Sequence, residues 1–83
     1  MFFKKDEIIE LSSGKKHVVV DTTQKDGKYY YYVCEVNKEE KEIIPNFKVI
    51  TTVSENGCLF VKTIKNELGD ELTTYFKENL NLV

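Results

Sequence analysis

Two dipeptides constrain this chain more than anything else in it: Asp26-Gly27 and Asn56-Gly57, each set between runs rich in Val, Ile, Thr, Tyr and Phe. These are the residues of the type I′ turn, whose two central positions both require φ > 0 and whose twist matches that of the strands it joins. Each predicts a β-hairpin. Working outward from them, turn formers and apolar alternation predict a short strand over 7–11, a turn at Ser12, Ser13 and Gly14, a second strand over about 17–23 and a third over 29–36. Asn37 to Glu42 is almost entirely charged and reads as a solvated loop, and Pro45 falls between segments. A fourth strand covers Phe47 to Val53, ahead of a fifth over about 58–64.

The third strand carries four consecutive tyrosines. Alternation puts Tyr30, Tyr32, Cys34 and Val36 on one face and Tyr29, Tyr31, Val33 and Glu35 on the other, and the first face is expected to point inward. On the fourth strand Lys48 and Ile50 fall on the outward side with Tyr29 and Tyr31. The fifth strand is ambiguous, since Phe60 with Ile64 and Leu59 with Val61 both read as core. From Asn66 the period changes: Leu68, Leu72, Tyr75, Phe76 and Leu80 form the stripe of an amphipathic helix over about 66–80. Asn66 suits the N-cap, and Glu67, Asp70 and Glu71 lie near the positive end of its dipole. Gly69 costs that helix about 1 kcal/mol relative to Ala.

The expected fold is mainly β: a small antiparallel five-stranded barrel or strongly bent sheet closed by one C-terminal α-helix, in a single domain over residues 1–83. Closing or covering is how such a sheet removes its edges. The chain contains no Ala, which leaves it leaning toward strand. At 83 residues its core is small, with little stability to divert into a strained active site.

The stretch Asp6-Glu7-Ile8-Ile9-Glu10-Leu11, followed by Gly14-Lys15-Lys16-His17-Val18-Val19-Val20, resembles the first hairpin of SH3-like small barrels. It is also similar to small proteins of low-GC Gram-positive bacteria and their mobile elements, to which no activity attaches. The resemblance covers roughly the first 35 residues. It implies an SH3-like barrel that serves as a binding module for peptides, nucleic acid or protein partners, without choosing among them, and no functional residue carries over.

Charge and chemistry narrow the function further. The net charge is -2, and every one of the 12 basic residues is Lys. Bidentate reading of phosphate, carboxylate or guanine is mainly an Arg task, so specific recognition of those groups is not expected. The glycines at 14, 27, 57 and 69 fit neither a dinucleotide-binding motif nor a P-loop, and Glu39, Glu40 and Glu42 are interleaved with Lys38 and Lys41 as a self-neutralising loop. His17 is the only histidine and reads as a surface or half-buried residue sharing a face with Val19 and Asp21. Zinc needs three or four ligands, and Cys34 and Cys58, each inside an apolar run, read as buried reduced thiols. No enzyme activity, cofactor or metal is therefore expected.

No apolar run reaches the length of a membrane helix, and Asp6, Glu7 and Glu10 interrupt the stretch where a signal peptide needs apolar residues, so the expected compartment is the cytoplasm. The candidate binding surface is the outward patch of Tyr29, Tyr31, Lys48 and Ile50, a mixture that can grip a peptide or stack bases. The same face can instead be the docking surface for the helix stripe of Leu68, Leu72 and Phe76. Leu80, Leu82 and Val83 continue that stripe and suggest a surplus covered by another protein or a second copy. The reading is a non-enzymatic protein-interaction or accessory module, with a weak single-stranded nucleic-acid binder as the alternative.

Overall fold

The computed structural model describes residues 2–80. Its elements are β1 (Ile8–Glu10), β2 (Lys16–Lys25), β3 (Lys28–Val36), β4 (Ile43–Glu55), β5 (Cys58–Thr63) and α1 (Glu67–Asn79). The strands make one antiparallel sheet in the order β1-β2-β3-β4-β5, curled into a half-barrel. Both predicted hairpins are present: Asp26 and Gly27 have φ of 52° and 79°, and Asn56 and Gly57 have 50° and 79°. No helix among the described residues is long and apolar enough to cross a membrane.

Two irregularities accompany the curl. The β2–β3 register shifts between Val19 and Asp21, and the β3–β4 register shifts between Cys34 and Val36. An extra residue in one strand of a pair bends that strand and increases its twist. The second irregularity also explains why β4 begins at Ile43, earlier than expected, and runs through Pro45. Pro45 lies between the paired positions Ile43 and Phe47, where the ladder is already interrupted, so its missing N–H costs no regular bond.

Curling buries both faces of β3. The inner, concave face gathers Ile9, Val19, Tyr31, Val33 and Ile50, with Phe3, Leu11 and Tyr29 packed against them. On the outer face Tyr30, Tyr32 and Val49 pack under Leu72 and Phe76 of α1, with Val20, Ile64, Leu68 and Leu80 around them. This corrects the expected sidedness. The face of Tyr29, Tyr31 and Val33 does not point outward, and it is not where the helix docks; the sheet encloses it, and the helix covers the Tyr30 and Tyr32 face instead.

The helix starts where expected, with the Asn66 side chain accepting a hydrogen bond from the Gly69 N–H at 3.3 Å. Phe76 is fully buried and stacks on Tyr32 with ring centres 5.2 Å apart, and Tyr32 stacks in turn on Phe47 at 5.3 Å. Asn79 donates to Asp21 at 3.0 Å, and Lys25 pairs with Glu71 at 3.1 Å, so both ends of the helix are tied to β2. Leu72 is buried and Leu80 half-buried against this chain's own sheet, while Leu82 and Val83 lie outside the described residues.

Gly69 sits where α1 approaches the chain leaving β5. A Cβ there would overlap the carbonyl oxygen of Ile64. Two effects then oppose each other in Gly69→Ala: the helix gains about 1 kcal/mol of propensity, and the helix must move off a backbone atom, an overpacking that costs roughly 1 to 3 kcal/mol. The clash is with rigid backbone, so the substitution is expected to destabilise the fold in urea unfolding. A stability equal to or above wild type would mean that α1 does not sit this close. Phe76→Ala, which opens a cavity under the stacked rings, is expected to cost about 3 to 5 kcal/mol in the same assay.

Candidate functional site

The structure does bring the four expected surface residues together, but on the inner face. Tyr31 pairs with Ile50 across β3 and β4, Val33 pairs with Lys48, and Tyr29 lies one step along the same face. Tyr31 and Ile50 are 0% exposed, Tyr29 is half-buried, and Lys48 lines the mouth of the half-barrel. Tyr31 has a structural role: its hydroxyl accepts the N–H of Phe2 at 3.1 Å, and its ring meets Phe3 edge-on with centres 5.0 Å apart. This corrects the expectation of an exposed binding patch at these positions. In a sheet curled this tightly, the concave side is core.

Exposed apolar side chains occur at Phe2, Ile43, Ile44, Phe47 and Tyr75, and three consecutive ones lie on β5, a strand whose composition predicts core on one face. Leu59 is 46% exposed, Phe60 53% and Val61 41%, so consecutive side chains on both faces of the strand meet solvent. Leu59 and Val61 are on the inner face and, with Leu11, Ser13, Lys48 and Thr63, line a cleft of about 370 Å³ where the β5 edge comes round toward the β1–β2 turn. Phe60 is on the outer face beside Val53, Glu55 and Lys62. Among the described residues the backbone of this edge is also open. Ile64 donates its N–H to Val49 at 2.9 Å, and the alternation of an antiparallel ladder then turns the N–H and C=O groups of Leu59, Val61 and Thr63 away from β4. Among the described residues the sheet order ends at β5, so no strand pairs with its outer side.

The remaining chemistry is sparse. Cys34 is buried, its thiol 3.2 Å from the Ile44 carbonyl oxygen, and burial pushes its pKa up, so it is an inert core group. Cys58 is exposed beside the second turn, contrary to the buried position expected from its apolar neighbours. A cleft of about 640 Å³ is rimmed by Glu10, Lys15, Lys16, Glu35 and Lys38, and Lys16 is engaged by Glu40 at 2.9 Å. Among the described residues no three His, Cys, Asp or Glu side chains stand together where they could hold a metal ion.

His17 departs most from expectation. It is fully buried on the inner face, opposite Ile9 on β1 and Glu35 on β3, and neither ring nitrogen has a hydrogen-bond partner. Burial, and then the charge of Lys48, hold its pKa below the ordinary 6.5, against the opposing effects of the Lys15 backbone and Glu35. Comparison with protein-family models, curated proteins and solved structures found no match to this chain.

The sign of the resulting pH dependence follows from linkage. Below 6.5 the unfolded chain takes up a proton at His17 that the folded chain resists, so stability is intact above 6.5 and is lost as pH falls toward the depressed folded value. The melting temperature of wild type is therefore expected to drop over that range more steeply than that of His17→Phe. Parallel curves for the two proteins would show that His17 is not the group responsible.

Proposed function

We propose that this chain is a non-enzymatic protein-interaction module that works in the cytoplasm and binds through the open β5 edge. One observation carries the reading: Leu59, Phe60 and Val61 are each 41% exposed or more on an edge strand whose outward backbone groups have no partner among the described residues. Edge strands of this kind are templates for adding another strand, and proteins that do not use them blunt them with Pro, bulges or rows of charge. Between Cys58 and Thr63 there is no Pro, and Lys62 is the only charged residue. Main-chain hydrogen bonds would supply affinity, and the alternating side chains Leu59 and Val61 against Phe60 would supply selectivity.

The nucleic-acid alternative rests on Tyr29, Tyr31, Lys48 and Ile50, of which Tyr31 and Ile50 are in the core and Tyr29 is half-buried. No observation favours it. The two readings differ in salt response, since phosphate contacts weaken steeply as salt rises.

Phe60→Lys tests the proposal without touching the core, because the ring it removes is half-exposed. With wild type and Phe60→Lys as baits in extract of the source cell, proteins retained by wild type at high and low salt alike are expected to fall by tenfold or more on the variant, about 1.4 kcal/mol of binding. Equal retention by a variant with an unchanged far-ultraviolet spectrum would place any binding surface elsewhere.

A further inference from the structure

The β5 edge is complementary to itself. Its free backbone positions are Leu59, Val61 and Thr63, and two antiparallel copies related by a two-fold axis must set free positions opposite free positions. Registers that slip by one residue break this parity. Of those that keep it, one centred on Leu59 sets Val61 against the turn residue Gly57, and one centred on Val61 sets the Lys62 charge against the Phe60 ring. A register centred on Phe60 keeps both Leu59 and Val61 against strand residues, sets only the terminal Thr63 against Gly57, and leaves the Phe60 ring clear of Lys62. It places Leu59 opposite the second copy's Val61, and Val61 opposite the second copy's Leu59, each as a pair sharing two backbone bonds. Phe60 then meets its own counterpart at a position without backbone bonds, where side chains come closest.

Charge fits the same register. Glu55 pairs with Cys58 at the base of the turn and shares the outer face with Phe60 and Lys62. The two-fold axis brings Lys62 opposite the second copy's Cys58, beside its Glu55, so the same opposite-charge contact forms twice.

We infer that this chain forms a homodimer by antiparallel pairing of β5 with β5 about Phe60, joining two half-barrels into one continuous sheet. The inference rests on the reading of the β5 edge as the interaction surface and names its occupant as a second copy rather than a strand of another protein. Pairing covers Leu59, Phe60 and Val61 together, and no single-faced contact does that.

Sedimentation equilibrium at micromolar concentration is expected to give wild type twice the monomer mass. Val61→Pro removes an outward N–H and no bond to β4, and is expected to halve that mass with an unchanged far-ultraviolet spectrum. Phe60→Lys, which sets two like charges at the axis, guards against a proline variant that fails to fold and is expected to give the same result. In a Cys58→Ser background, Phe60→Cys is expected to oxidise to a disulfide-linked dimer, because identical residues meet at the axis. A wild type that stays monomeric overturns the inference, as does a dimer that survives both edge variants. If a monomeric wild type still loses its extract partners in Phe60→Lys, self-pairing alone is wrong and the edge reading stands; if the variant retains them, both are wrong.

Discussion

Burial of β3 on both faces is the constraint on which the other elements depend. A strand buried on one side only tolerates polar residues at alternate positions, whereas β3 runs Tyr30 to Cys34 without an exposed residue. Its two faces need separate covers. Leu72 and Phe76 of α1 close one, and Ile9, Val19 and Ile50, with Phe3 against Tyr31, close the other. Each such side chain contributes about 1.5 to 3 kcal/mol when fully buried, so loss of either cover would remove a large part of the stability of a domain this small. Tyrosine suits the position because its ring fills space while its hydroxyl reaches a partner, as Tyr31 does with the Phe2 N–H.

What could be read from the sequence was local. Asp26-Gly27, Asn56-Gly57 and the Asn66 cap act within a few residues, and all three are found where the dipeptides and the cap residue stand. Alternation also grouped Tyr29, Tyr31, Lys48 and Ile50 correctly, because residues two apart on paired strands share a face in any sheet. Which face is enclosed is not a local property. It depends on the direction in which the sheet curls, and a polar neighbour such as Glu35 does not reveal it. His17 departs from expectation for the same reason: its residue type suggests water, yet its place opposite Ile9 puts it inside the curl. Cys58, Leu59, Phe60 and Val61 failed in the opposite sense, since apolar composition says what a strand prefers and not whether a neighbour exists to cover it.

The two edges of the sheet are handled differently. β1 has only three residues, and the chain before it turns sharply at Asp6, φ 72°, with the Asp6 N–H on the Val19 carbonyl oxygen and the Val19 N–H on the Glu7 carbonyl oxygen. That edge is short, bent and flanked by Lys4 and Lys5, which is how strand addition is discouraged. β5 has twice the length and none of these devices except Lys62. A sheet that protects one edge and leaves the other open has a direction in which it can be extended.

Simple closure of the barrel, β5 against β1, would cover Leu59 and Val61 within one chain, and the lining of the intervening cleft shows why it does not occur. Lys48 projects into that space from β4, with Ser12 and Ser13 on the far wall. Closing the gap would strip water from the ammonium group, an effective cost of several kcal/mol for a charge without a dedicated partner. The return is smaller. Leu59 and Val61 already have about half of their surface covered, so completing their burial yields only a fraction of the 1.5 to 3 kcal/mol that a whole side chain contributes. Lys48 therefore disfavours closure of the half-barrel, and among the described residues no strand covers the free edge of the apolar strand beside it.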